Sequence, residues 1–418
     1  MRLALYLDLT FKRTNINPPY PDILINFASD QTEAEKPVGR DLVRGFFSAA
    51  KSNGMQLGEL LEQEANKAGA LIGEKGFMPA GHNGPYFDEE TPVRNTAHWL
   101  FVFSVLYERT KDSRYKDFAE KAIAYLTGAE ARPMKAAFWI RKNPEKDFCN
   151  GLIGQAWVME ALIKAAQVFD RPELYQLAEE VYLLHSFDED LWIWKRLNVD
   201  GSYNSPDPTF NHQLWFGAVS TMLDRTPAAV EASSLFFEKI ATRVKLYRDG
   251  VINHVSPVTR LSLKVKHPPK VVEGVVRYGY YQVSKRSLRK KAAGYHAFNL
   301  YAFALYRQAL PDHPFWDSRK FKKMLRVTDR PHFLKQQKDN KYSFPYNPTG
   351  LELAFVRETF DSDPGKVEYW LNQQIAFTGE PGKSIMTGGT ADENTARARI
   401  YEAARLKQDY QIEGMMHS

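Results

Sequence analysis

The sequence predicts an all-α fold, an (α/α)6 toroid of about six helix hairpins in a single domain. Three observations carry that prediction. A helical apolar period followed by a turn recurs along most of the 418 residues. No Ser/Gly-rich linker, low-complexity tract or sustained charge block divides the chain. A short polar or Gly/Pro-bearing stretch precedes every second helix, and those helices are aromatic-rich. With 44% apolar and 13% aromatic residues the chain can bury one large core. A helix ring is one of the few helical plans that stays one unit at this length.

The expected helices run, in order, over about 40–70, 95–107 and 118–126, then 152–168 and 174–185 around the stop-and-restart Asp170-Arg171-Pro172. The next pair is 212–223 and 228–247, divided by Asp224-Arg225-Thr226-Pro227. Segments 296–310 with 315–325, and 351–360 with 367–377, follow, and 391–406 closes the set. Strands are hard to place, although 249–290 could hold a short hairpin. The expected boundaries are an N-terminal extension over 1–40, a toroid over 41–410 and a basic insert at about 249–291.

The net charge of +6 is mild, but Lys264, Lys266, Lys270, Arg277, Lys285, Arg286, Arg289, Lys290 and Lys291 crowd one stretch. It reads either as a solvated loop or as a field drawing anionic substrates into a cleft. No helix-turn-helix, finger or RNP-like signature accompanies the charge, so no nucleic-acid partner is expected. Cys149 is the only cysteine, which excludes a disulfide framework and a Cys-based zinc site. No apolar run approaches the roughly 20 residues needed to cross a bilayer. The first eight residues are too short and too polar at Asp8 for a signal peptide, so a cytoplasmic location is expected if this start is native. No His-Glu-x-x-His, GxGxxG after a strand, Walker loop or Ser nucleophile elbow occurs, and neither metal nor cofactor is expected.

Chemistry-bearing residues gather before alternate helices. Asp207 leads through Pro208, Thr209 and Phe210 to Asn211-His212, with Trp215 four residues past Asn211. Asn211 suits a helix cap, and His212 suits either packing or a general base. Gly294-Tyr295-His296 opens another helix, with Tyr295 a candidate proton donor and Tyr278, Tyr280 and Tyr281 competing for that role. A loop through His82, Asn83 and Asp88 leads into Arg94-Asn95-x-x-His98-Trp99. Arg94 is a fork for a carboxylate, and His98 shares a helical face with Asn95. Asn150 precedes the helix that carries Trp157. Asn347 precedes Glu352, a carboxylate on an apolar helix start that needs a partner. In a ring these helix starts converge on one mouth.

The Asn211-His212 pair followed by Trp215 resembles the Asn-His motif of the α-toroid polysaccharide lyases and related uronyl epimerases. The stretches Arg94–Trp99, Asn150–Trp157 and 395–404 also resemble toroid carbohydrate enzymes, including unsaturated glucuronyl hydrolases. The resemblance implies β-elimination on an anionic, uronate-containing saccharide. Asn211, His212 and Arg94 would neutralise the carboxylate, His212 or Tyr295 would take the C5 proton, and Tyr295 would protonate the leaving oxygen. Asn95, His98, Asn150, His296, Asn347 and Glu352 would bind substrate, and Trp99, Trp157 and Trp215 would offer sugar platforms. The alternatives are a hydrolase or epimerase on the same ring, with Asp88, Asp207 or Glu352 as acid and base, and a non-catalytic saccharide-binding toroid.

Overall fold

In the computed structural model, two kinds of helix alternate along the chain, one buried all round and one buried along a stripe. Residues 54–207, 209–254, 285–380 and 384–413 are described, with isolated positions at 257, 271, 275 and 279. The expected extension at 1–40 and most of the basic insert, with Tyr278, Tyr280 and Tyr281, lie outside the described residues.

The helices are α1 (Leu57–Lys75), α2 (Val93–Thr110), α3 (Ser113–Thr127), α4 (Gly151–Phe169), α5 (Pro172–Leu184), α6 (Phe210–Ser220) and α7 (Pro227–Lys239). They continue as α8 (Lys285–Gly294), α9 (His296–Ala309), α10 (Arg319–Val327), α11 (Pro331–Lys338), α12 (Thr349–Phe360), α13 (Pro364–Thr378) and α14 (Glu393–Ala398). A 3-10 segment, Arg399–Arg405, prolongs α14. The inner set closes on itself: α2 packs on α4, α4 on α6, α6 on α9, α9 on α12, α12 on the 3-10 segment, and that segment on α2. Helices α3, α5, α7 and α13 back their preceding inner helices, and α1 lies against α2 and α3. This is the expected α/α toroid in one domain.

Burial separates the two layers as the residue patterns require. α4 buries fifteen of nineteen residues, so it must be covered on every side. α3 buries five of fifteen, among them Tyr115, Ala119, Ala122 and Leu126 at helical spacing, and turns its charged face to water. Starts and stops follow local chemistry. Pro172, Pro227 and Pro364 each open an outer helix where a missing N–H costs nothing. Asp112, Asp363 and Asp392 cap α3, α13 and α14. Strands β1 (Met55–Gln56) and β5 (Gln411–Ile412) pair antiparallel and clasp the two ends of the described chain.

Three features depart from expectation. A small antiparallel sheet, β2 (Phe187–Asp188), β3 (Ile193–Leu197) and β4 (Tyr203–Pro206), occupies the connection into α6 rather than the 249–290 stretch. Helices α8 and α11 were not anticipated. The last inner helix is only half α-helical. With three residues per turn, a 3-10 segment eclipses positions i, i+3 and i+6, which lines Arg399, Glu402 and Arg405 along one inward stripe. Among the described residues no helix is long and apolar enough to cross a membrane.

Arg405 ties the ring across its middle. It donates to Glu160 of α4, and its guanidinium lies 4.2 Å from the Phe101 ring of α2 and 6.0 Å from the Tyr301 ring of α9. Arg405→Met should strand a buried carboxylate and cost about 3–5 kcal/mol, whereas adding Glu160→Gln to the same chain should recover much of that loss. Urea denaturation of the two variants measures both; equal destabilisation would show that the pair does not hold the ring.

Candidate active site

Each outer helix returns the chain to the same end of the ring, so the loops before the inner helices meet there. Asp392, capping α14, accepts from the backbone N–H of His82 (3.0 Å) and Gly84 (2.7 Å) in the loop before α2. Tyr346, before α12, donates to Asn83 Oδ1 in that same loop at 2.9 Å. The Tyr86 and Tyr295 hydroxyls, before α2 and α9, lie 2.9 Å apart. Asp207, before α6, accepts from the Leu152 N–H of α4 at 3.4 Å. Loops from all six inner helices therefore form one mouth.

The mouth's most sharply defined polar pair is Asp207 and His212. The hairpin β3–β4 delivers Asp207 to the start of α6, and Gln213 anchors the junction by bonding both Trp194 backbone groups (3.0 and 2.8 Å) and the Asp207 carbonyl (2.9 Å). Asp207 Oδ2 then lies 2.8 Å from His212 Nδ1. Burial opposes ionising Asp207, but the His212 imidazole, Arg196 and the Thr209 N–H together hold its carboxyl well below the usual carboxylate range. An ionised Asp207 on Nδ1 leaves Nε2 as the lone-pair nitrogen. The His212 side chain is 22% exposed and Asp207 only 2%, so the imidazole meets solvent and its anchor does not. Gly151 makes room for both: a Cβ there would sit 2.6 Å from Asp207 Oδ2 and 2.6 Å from His212 Nδ1, and its φ is +58°.

The mouth also holds a cluster of phenols. Burial, reinforced for Tyr86 and Tyr295 by the neighbouring phenols, raises the pKa of Tyr86, Tyr295 and Tyr346, so all three stay protonated and can donate. The Lys291 ammonium stands 5.0 Å from the Tyr86 ring and 5.8 Å from that of Tyr295. His254 lies next to this cluster. Its ring centroid is 5.4 Å from that of Tyr295, and burial, then the charges of Lys291 and His212, hold it well below the usual imidazole range. It is therefore a neutral imidazole beside the Tyr295 phenol and within the electrostatic reach of His212.

Beneath the mouth the ring interior is polar. Arg94 donates to Glu90 (3.2 Å) and Asn83 (3.1 Å) and lies 4.2 Å over Trp157, while its Nε and Nη2 have no partner. His98 stacks on Tyr401 at 4.1 Å with neither ring nitrogen bonded, and burial with Arg94 and Arg399 keeps it neutral. Arg399 grips Glu352 (2.9 Å) and Glu402 (2.5 Å) at once. Burial and their mutual repulsion push Glu352 well up, and burial raises Glu402 to about 7.

The remaining expected site residues have other surroundings. Asn95 donates to the Pro79 carbonyl (2.8 Å), and Asn347 to the Tyr342 carbonyl (2.7 Å). Asn150 is buried at a φ of +54°, and Asn211 is buried with Oδ1 unbonded. Trp215 is stacked by Phe298 and Tyr301, and Trp99 by Phe103; both are buried, with no broad face towards solvent. His296 holds the Ile252 N–H and the Met324 carbonyl inside the core. Asp88 is enclosed by Lys146 (2.6 Å) and Asn143 (3.1 Å). His254, Tyr86, Tyr346, Lys291, Arg399 and Glu402 were missed as site candidates. His254 had a signal, since Asn253-His254 repeats the Asn-His dipeptide of the α6 start. Among the described residues no group of three or more His, Cys, Asp and Glu side chains converges as a metal site.

This architecture is shared with enzymes that act on sugars. The cellobiose 2-epimerase of Bacillus thermoamylovorans B4167 superposes with a TM-score of 0.55 at 12% identity, covering 83% of this chain and 98% of that one. A D-mannose isomerase gives 0.54 at 12% identity, over 83% of this chain and 95% of that one. An unsaturated glucuronyl hydrolase variant with dGlcA-Glc-Rha-Glc gives 0.54 at 12% identity, over 85% and 99%. At such identities the likeness is one of fold. In sequence, archaeal glycosylation protein Q of Haloferax volcanii is 41% identical over 367 residues, spanning 85% of this chain and 98% of that protein. The chain belongs to the archaeal glycosylation protein Q family. No protein-family model matches it.

The buried histidines give the fold a defined response to acid. Burial lowers the pKa of His296 to about 4, against about 6.5 in an unfolded chain. The unfolded state then binds the extra proton, so this contribution to stability is intact above pH 6.5 and lost as pH falls towards 4. The loss reaches about 3 kcal/mol for this residue. Urea midpoints of wild type and His296→Asn across that window should converge by that amount. A constant difference would mean that His296 titrates normally in the fold.

Proposed function

We propose that the protein is a sugar isomerase or epimerase, moving a proton at a carbon beside a carbonyl group. The observation that carries this reading is the His212 imidazole at the mouth, held through Nδ1 by ionised Asp207, with protonated Tyr295 and neutral His254 in the same mouth. His212 Nε2 would take the carbon-bound proton, and Tyr295 would donate to the oxygen that gains charge. The imidazolium formed at His212 would hand the proton on to the neighbouring carbon, which completes an isomerisation with one base, and neutral His254 would hydrogen-bond the substrate beside it. Membership of a family named for glycosylation supports a sugar substrate.

Hydrolysis fits the mouth less well. A glycosidase needs one protonated and one ionised carboxyl across the scissile bond, whereas at the rim Asp207 is held ionised and Asp88 is paired with Lys146, and the raised carboxyl of Glu352 lies in the ring interior, tied up by Arg399. Elimination from a uronate is the second reading, and Lys291 beside the phenols favours it. Arg94, expected to grip the carboxylate, instead uses Nη1 on Glu90 and Asn83. A neutral sugar therefore suits the mouth better than an anionic one.

Incubation with a panel of aldoses, ketoses and uronates in deuterated water separates these readings. Isomerisation or epimerisation places deuterium on the carbon next to the carbonyl, followed by NMR. Elimination adds ultraviolet absorbance from an unsaturated uronyl end. Asp207→Asn and His212→Gln should each lower the exchange rate about 10²–10⁴-fold with the fold intact. Unchanged exchange in His212→Gln would remove this assignment of the base, and absence of exchange on every sugar would remove the reaction class.

A further inference from the structure

Beside the mouth is a groove of about 460 Å³ that none of the proton-transfer chemistry uses. It is formed by the turn after α3, the loop before α4 and the tip of the β3–β4 hairpin. Trp139, Phe148 and Met134 supply its apolar side, and Asn198 and Asp200 its polar edge. Met134 is 60% exposed and Phe148 37%, so both offer apolar surface to the groove. Trp139 is not loose: its indole N–H donates to the Arg141 carbonyl at 2.9 Å, and its backbone N–H to the Ala131 carbonyl at 2.9 Å. A pinned indole offers a flat face at little entropic cost. Asp200 accepts from Ser202 through Oδ1 only, which leaves Oδ2 for an outside donor.

The groove joins the mouth through one residue. Asp147 lines it, and Asp147 Oδ1 accepts the Gly151 N–H at 2.6 Å. The other side of Gly151 is the place where Asp207 Oδ2 and His212 Nδ1 crowd in at 2.6 Å. The Asp147 carboxylate and the base are thus less than about 8 Å apart across a single Cα.

We infer that this groove is a second subsite, which stacks the next sugar of a neutral oligosaccharide on Trp139 and Phe148 and takes its hydroxyls on Asp200 and Asn198. The charges select a neutral unit. Lys146 on the groove wall is committed to Asp88, Asp147 is paired with Arg141 and Arg196, and Asp200 is an exposed carboxylate that repels anions. The volume falls within the roughly 300–1,000 Å³ of ordinary ligand sites. This inference rests on the reading that the mouth holds the reacting sugar, and it extends the substrate from a free monosaccharide to the terminal unit of a longer chain.

The test is equilibrium binding, by calorimetry, of gluco- and manno-oligosaccharides of one to four units to the full chain. Affinity should rise about tenfold between one unit and two or three. That gain should shrink to within twofold in Trp139→Ala and in Phe148→Ser, and should persist in His212→Gln. Phe148→Ser alters an exposed side chain, so it keeps the test meaningful if Trp139→Ala fails to fold. Loss of solvent exchange with the length gain intact would reject the mouth chemistry and leave the groove standing. A length gain untouched by both groove variants, no gain at all, or tighter binding of an alkyl glycoside than of an equally long oligosaccharide would overturn the subsite.

Discussion

Everything functional in this molecule depends on the return stroke of its outer helices. An inner helix buried on all sides cannot be followed by another without a partner to carry the chain back, and each hairpin therefore restarts its next inner helix at the same rim. The polar loops that precede α2, α4, α6, α9, α12 and α14 are forced into one another's company. Their cross-links, Asp392 to Gly84, Tyr346 to Asn83, Tyr86 to Tyr295 and Asp207 to Leu152, belong to the same closure that defines the fold. Stability and site geometry are thus two consequences of one constraint.

Within the mouth, environment assigns roles to groups that are chemically alike. Five histidines, His82, His98, His212, His254 and His296, lie in or under it, and their surroundings differ. His98 and His254 are held neutral by burial and nearby cations, and His296 is occupied by backbone partners. His212 and His82 each face a buried carboxylate from a partly exposed side chain, and of the two His212 is the one hydrogen-bonded to it, at 2.8 Å from Asp207 against 3.8 Å between His82 and Asp392. The carboxylates divide similarly. Asp207 is held ionised at the rim, while Glu352 and Glu402 share one arginine in the interior and are pushed towards their neutral forms. The phenols between these levels remain protonated donors.

The ring and its rim were legible because both leave a pattern. Inner helices such as α4 are apolar all round, outer helices such as α3 carry a stripe, and the Asn-His, Tyr-His and Arg-Asn-x-x-His clusters recur at alternate starts. Individual roles were harder to read. A Trp at helical spacing looks the same whether it stacks a sugar or, like Trp215, is covered by Phe298 and Tyr301. Arg94 looks like a free fork until Glu90, one turn earlier, occupies it. The β2–β4 sheet escaped because its strands run to two, five and four residues, too short for a period-two signal beside the acids at 188–190. His254 escaped because a basic insert with no helical period hides the one dipeptide that marks it.

The central claim is that a sugar carbon comes to rest between His212 and Tyr295. A crystal structure of the protein with a linear alditol such as D-glucitol, which has the shape of an open-chain sugar but no carbonyl to react, tests it most directly. The account predicts an alditol carbon within about 3.5 Å of His212 Nε2 and its hydroxyl oxygen on Tyr295 Oη, with the Asp207–His212 bond intact. An alditol bound elsewhere in the ring, or one seated with His212 turned away from Asp207, would contradict it.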